Sequence, residues 1–338
     1  MDSSFLPLLA RRAPVRLDGG LATSLEERGH QLTDALWSAR LLLDAPDELV
    51  AVHGAFLAAG ADVVSTASYQ LAARSLAAAG RDPGLEAPLL TRSVELARQA
   101  VTDHAEPVRQ VTTDHAEPAP QAETDHLDVA GMDVADAGGP CVAASVGPYG
   151  AVLGGGAEYR GRYGCTVDDL VAFHAPRVEA LVAAGPDVLA CETLPSGDEV
   201  AALAQVLRGT GIPAWVSVTP GADGRTTPEG QPLADALAPI RDVDEVVAVG
   251  VNCCPPERVA PALDALAVLE QPLLTYPNLG ARWDAAHGWW RADGDREVVA
   301  RAVPTWLERG VRLLGGCCGT SPDDVRWLGG LLARAGQS

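Results

Sequence analysis

Eight short apolar segments, separated by stretches of helical periodicity, constrain this chain more than any other feature. They lie around residues 15–17, 62–65, 141–145, 187–190, 214–218, 246–249, 272–275 and 311–314, and most are rich in Val, Leu and Ala. Helical spacing of apolar residues recurs between them, at 46–59, 166–184, 198–208, 256–269 and 296–309. Continuous apolar strands that alternate with helices predict parallel pairing with both faces covered. Eight such units in 338 residues favour a closed (β/α)8 barrel of the TIM type over an open doubly wound sheet.

Almost every segment ends in unusual residues. These ends are Asp18-Gly19-Gly20, Thr66-Ala67-Ser68-Tyr69, Val146-Gly147-Pro148-Tyr149, Glu192-Thr193, Thr219-Pro220, Asn252-Cys253-Cys254, Tyr276-Pro277-Asn278 and Gly315-Gly316-Cys317-Cys318. In a barrel, C-terminal strand ends converge on one mouth, which is where sites of this fold are built. Residues far apart in sequence then become neighbours.

The gap between the second and third segments breaks the pattern. Inside it Thr-Asp-His recurs with a period of 11 residues, at His104, His115 and His126. The stretch is acidic, bears prolines and lacks aromatics, a composition that buries too little to fold alone. Residues 103–138 are therefore expected to form a flexible surface insertion within a single barrel domain spanning 1–338. Its histidines are assigned no metal role.

A net charge of −20 argues against a nucleic-acid partner, which would call for a basic face. No apolar run reaches the roughly 18 residues of a membrane span, and the N-terminus has no basic region ahead of its short apolar patch. Adjacent thiols at Cys253-Cys254 and Cys317-Cys318, within an odd total of seven, suit metal or redox chemistry better than a disulfide framework. A cytoplasmic protein without a membrane partner is expected.

Cys253 follows the sixth segment, and Cys317 and Cys318 follow the eighth. Zinc accepts sulfur ligands in a tetrahedron, and a catalytic site spends three positions on protein and leaves one open. Neighbours on a regular strand point to opposite faces, but a bend at Gly315-Gly316 lets both sulfurs face one ion. Three thiolates on Zn2+ give an electron-rich centre that deprotonates an incoming thiol and keeps it nucleophilic. Alkyl transfer to sulfur is the matching reaction class. Two alternatives stand beside this: a buried cysteine is also an ordinary small hydrophobe, and adjacent cysteines also form redox couples. Cys254 should point away from Cys253 into the packing, and is its one substitute as ligand. Cys141, Cys165 and Cys191 read as core or near-surface thiols.

LDGGLATSLEERG, LWSARLLLDAPDELVAVHGAFLAAGADVVSTASYQ, SVGPYGA, EYRGRYG, HAPRVEAL, ACETLPS, GVNC, YPNLG and GGCCGT span nearly the whole chain apart from the insertion. With them the chain resembles the homocysteine S-methyltransferase family, and in ACETLP, SVGPYGA, EYRGRYG and YPN it resembles the stand-alone branch. That branch takes its methyl from S-methylmethionine or S-adenosylmethionine. The resemblance implies that Cys253, Cys317 and Cys318 hold zinc, and that Asp18, Gly19 and Glu192 hold the amino-acid end of homocysteine. An α-ammonium wants carboxylates, and an α-carboxylate wants backbone N–H groups at a Gly-rich turn.

Asn252 is a candidate to hydrogen-bond a sulfur or the substrate. Tyr69, Tyr149, Tyr159, Tyr276 and Asn278 are candidates for the donor pocket, since a sulfonium is drawn to aromatic faces. No remaining stretch is long enough for a corrinoid domain. Methyl transfer from a sulfonium to homocysteine, giving methionine, is the expected activity. A cysteine-based zinc or redox sensor would need neither Asp18 nor Glu192, and a barrel methyltransferase could serve a different thiol.

Overall fold

A computed structural model describes residues 3–113, 139–278, 282–284, 289–291 and 296–335. Eight parallel strands run β1 (Val15–Arg16), β2 (Val63–Ser65), β3 (Cys141–Val146), β4 (Val188–Leu194), β5 (Ala214–Val218), β6 (Val246–Asn252), β7 (Leu273–Tyr276) and β8 (Val311–Leu314). Each pairs with the next in sequence from β2 to β8, and β8 pairs with β1. A bridge from Leu17 to Val63 closes the ring. The expected TIM-type barrel is present, and each of the eight apolar segments supplies one strand.

Strand parity divides the core in two. Inside the barrel lie Val15, Leu17, Val63, Cys141, Ala143, Val188, Ala190, Trp215, Ala248, Leu274 and Leu313. Their neighbours, such as Val142, Ala144, Leu189, Val216, Val249 and Val251, pack outward against the helices. Period-2 alternation thus persists in strands that read as continuous apolar runs, because both faces are covered. A short helix, Phe5–Leu9, seals the N-terminal end, with the Phe5 ring 5.8 Å from that of Trp215.

Local chemistry fixes the helix starts. Thr166 caps the Val167–Ala183 helix by accepting from Asp169 N–H, and Asp169 returns the bond to Thr166 N–H. Ser196 caps Gly197–Leu207 through Glu199 N–H. Among the described residues no helix is long and apolar enough to cross a membrane.

Three features differ from the sequence expectation. The helix after β2 runs Glu86–Thr113, so residues 103–113, expected in the insertion, are helical. The first Asp-His pair lies on it, while 114–138 fall outside the described residues. The helix expected at 256–269 is a 3-10 turn, Pro256–Arg258, followed by Val259–Leu266. An antiparallel pair, Arg282–Asp284 with Trp289–Arg291, stands between β7 and the last repeat. It is too short to leave a period-2 signal.

Phe5 is fully buried at the barrel floor. Phe5→Ala should therefore destabilise the protein by about 3 kcal/mol in urea denaturation while leaving the opposite mouth intact. A loss below about 0.5 kcal/mol would show that this helix does not seal the floor.

Candidate active site and metal centre

Above the apolar plug, the same strand parity carries Ser145, Glu192, Ser217, Asn252 and Tyr276 to the mouth. They form a polar layer. Ser145 donates a very short hydrogen bond to Glu192, Ser217 donates to Asn252 Oδ1 at 2.8 Å, and the Tyr276 hydroxyl lies 2.8 Å from Ser217 and accepts from Trp215 at 3.1 Å. Polar groups this deep persist only when partnered.

Two carboxyls belong to this layer. Burial pushes Glu192 up to about 7 against the opposing hydrogen bonds from Ser145 and Tyr276, and the charge of nearby Asp18 adds to the rise. Burial likewise pushes Asp18 up to about 7, although Ser65 donates to it through its backbone N–H at 2.6 Å and its hydroxyl at 3.1 Å. Asp18 therefore also ties the end of β1 to the end of β2. Gly19, beside it, has no room for a side chain: a Cβ would stand 2.8 Å from Thr320 O and 2.9 Å from the Phe56 ring.

The sulfurs of Cys253, Cys317 and Cys318 all lie within 4.8 Å of one another, with Cys253 and Cys318 at 3.7 Å. Strand β7 stands between the two strands that carry them and holds both: Cys253 N–H donates to Tyr276 O and Cys317 N–H to Pro277 O. Cys253 itself adopts a left-handed backbone, φ 49°, which turns its sulfur inward. Cys254 then faces the outer core, where burial pushes its thiol up. Gly315 and Gly316 act through close approach, not through a left-handed bend: a Cβ on Gly315 would meet Leu17 Cβ at 2.6 Å, and one on Gly316 would meet the Thr320 side chain at 2.3 Å.

The three thiols oppose one another's ionisation. Hydrogen bonds from Cys317 and Cys318 hold Cys253 well below the usual thiol value, and the same bonds hold Cys317 and Cys318 well above it. Three soft donors converging on one point, able to ionise together only around a cation, fit a thiophilic divalent metal.

Asn252 does not present its amide to the cavity. Its Oδ1 accepts from Thr193 N–H and Ser217, and its Nδ2 donates to Thr193 Oγ1 at 2.7 Å. Thr193 is left-handed, φ 62°, and follows Glu192 directly. Asn252 thus stitches together two strained residues, Thr193 at the end of β4 and Cys253 after β6, across the end of β5 that lies between them. Nothing in a lone sequence marks a threonine for that conformation.

A cavity of about 2170 Å³ opens over these groups. Tyr69, Tyr159, Tyr276 and Asn278 line it, with the Tyr159 hydroxyl 3.1 Å from Cys253 Sγ. Tyr149 lies apart from the lining: its ring packs edge-on against Tyr163 and Phe173, and its hydroxyl accepts from Arg74. The sequence reading passed over Glu158. Burial pushes this carboxyl up to about 7, it lines the cavity, and its Oε2 has no partner among the described residues. An acid in a Gly-rich loop reads as solvated, and only the return of the loop over the mouth buries it.

The model for "Homocysteine S-methyltransferase" matches residues 15–331. The chain belongs to the homocysteine S-methyltransferase family. It is 42% identical to the homocysteine S-methyltransferase of Escherichia coli (strain K12), over 95% of this chain and 96% of that protein. It is 37% identical to a selenocysteine Se-methyltransferase of Brassica oleracea var. italica, over 92% and 86%. The crystal structure of the E. coli homocysteine methyltransferase MmuM in its metallated form superposes with a TM-score of 0.79 at 38% identity, covering 98% of this chain and 99% of that one. A metal site in this homocysteine S-methyltransferase family member thus agrees with both its own thiol cluster and a metallated relative.

Cys317→Ala should lose its bound metal, whereas Cys254→Ala should retain it, as elemental analysis of the purified proteins would show. Metal retained by Cys317→Ala would remove that residue from the ligand set.

Proposed function

We propose that the site transfers a methyl group from a sulfonium donor, S-methylmethionine or S-adenosylmethionine, to the thiol of L-homocysteine, with Zn2+ held by Cys253, Cys317 and Cys318. The observation that carries this reading is the sharing of one cavity by a three-sulfur cluster and two carboxyls, Asp18 and Glu192. A donor set of three sulfurs suits zinc among the common divalent ions. Zinc held by these three sulfurs would favour the thiolate form of a substrate thiol and keep it nucleophilic.

The remaining work falls to the chain. Asp18 and Glu192 receive the α-ammonium of homocysteine, which fixes the direction in which its thiol points. Gly19 lets the backbone approach closely, at a turn whose N–H groups suit an α-carboxylate. Asn252 serves by holding Thr193 and Cys253, so that Glu192 and the cluster face one substrate. Tyr69, Tyr159, Tyr276 and Asn278 wall the donor side, where Glu158 adds negative charge that favours a sulfonium. The homocysteine sulfur attacks the methyl carbon, the old S–CH3 bond leaves its electron pair on the departing sulfide, and methionine forms. With S-methylmethionine both products are methionine. Holding both sulfurs in line is the main source of rate.

Purified protein should methylate homocysteine from at least one of the two sulfoniums, and a chelator that strips the metal should abolish this. Full activity after verified metal removal would sink the mechanism.

The raised carboxyls give the pH dependence a sign. Asp18 and Glu192, at about 7 in the folded protein, lie above their ordinary unfolded values. Their contribution to stability is therefore present below the ordinary carboxyl range and lost as pH rises through about 7. A bound ammonium favours the ionised forms, so thermal stabilisation by homocysteine should grow between pH 6 and 8. Glu192→Gln should flatten that growth and raise the KM for homocysteine by about tenfold or more. An unchanged KM would take Glu192 out of the substrate site.

A further inference from the structure

Arg177 lies on the Val167–Ala183 helix with no solvent exposure, and no carboxylate among the described residues is within ion-pair distance of it. Burying an arginine without an acid is costly unless every donor is used. Here all three guanidinium nitrogens donate to backbone carbonyls: Nε to Leu71 at 3.0 Å, and the two terminal nitrogens to Gly147 and Tyr69, each at 3.1 Å. The Phe173 ring covers the guanidinium at 4.7 Å.

Those carbonyls belong to two different loops, one after β2 and one after β3. The loops touch where the clamp grips them, since a Cβ on Gly147 would stand 2.4 Å from Tyr69 O and 2.6 Å from its ring. The Tyr69 ring also meets Trp37 edge-on at 6.2 Å. One turn before Arg177, His174 bonds Glu199, and Glu199 accepts from Tyr149 N–H at 2.5 Å, securing the next stretch of the β3 loop.

We infer that Arg177 is a positioning residue for the donor: from behind the cavity wall it fixes Tyr69, and with it the face against which the sulfonium is held. The inference rests on the proposed function, in which Tyr69 belongs to the donor side. A guanidinium serves because its planar fork meets three fixed acceptors at once, whereas an ammonium keeps the charge and loses the geometry. The zinc cluster and the homocysteine carboxyls stand on β1, β4, β6 and β8 ends that Arg177 does not touch.

The test is steady-state kinetics with S-methylmethionine and homocysteine varied in turn, together with metal content and thermal midpoint, for wild type, Arg177→Lys and Gly147→Ala. Both variants should keep full metal, hold the KM for homocysteine within about twofold, and raise the KM for S-methylmethionine by about tenfold. Gly147→Ala presses on the Tyr69 carbonyl and ring while leaving Arg177 in place, so it decides the matter if Arg177→Lys does not fold. An unchanged donor KM would overturn the inference, as would equal rises in both KM values accompanied by metal loss. A wild type inactive with every sulfonium would sink the functional reading and this inference with it. An active wild type that the variants match would sink this inference alone.

Discussion

The structure depends on gathering ionisable groups, three thiols and three carboxyls, around one cavity at the barrel mouth. Three thiols, Asp18, Glu192 and Glu158 share one cavity, and burial opposes the ionised form of each carboxyl there. Such a cluster is unfavourable until cations arrive, which a closed barrel tolerates because its stability lies elsewhere. The apolar plug below the polar layer and the outer core between strands and helices bury enough surface to hold the mouth in place.

That holding is done by backbone as much as by side chains. Strand β7 ties Cys253 and Cys317 through Tyr276 and Pro277 carbonyls, and β1 ties Gly316 through Asp18 O. Asn252 keeps Thr193 and Cys253 in conformations that neither residue adopts freely. The cost of these two residues is local, and the hydrogen bonds that offset it run between strands. Cys253 and Glu192 are thereby set by the same network, so their relative positions do not drift independently.

Much of this was legible in the sequence. Eight apolar segments placed the strands, because parallel pairing with covered faces demands continuous runs. Cys317, Cys318 and Cys253 could be grouped because a barrel brings strand ends together whatever their separation. Cys254 was rightly turned toward the packing, but Gly315 and Gly316 proved necessary for close approach to Leu17 and Thr320, and the left-handed turn falls on Cys253 instead. Asn252, a candidate to bond a sulfur or the substrate, is turned to Thr193 and Ser217, partners that only tertiary structure fixes. Tyr149 misled because an aromatic near a strand end can pack behind the wall as readily as on it. Glu158 and Arg177 were passed over for a shared reason: nothing beside either residue in the sequence shows that other segments fold over it.

The two buried charges also explain one another's placement in the fold. Arg177 sits behind the wall and satisfies carbonyls, so its charge does not neutralise the cavity; the carboxyls in front remain available to bound cations. Had the cation faced inward, it would have competed with a substrate ammonium or a sulfonium for the same acids. In the proposed reaction the donor enters as a cation and leaves as a neutral sulfide. An acidic, aromatic-lined cavity therefore attracts the donor more than the product derived from it. Separating the structural cation from the cavity's acids by one layer of backbone is what lets a strongly acidic mouth be both rigid and open to cations.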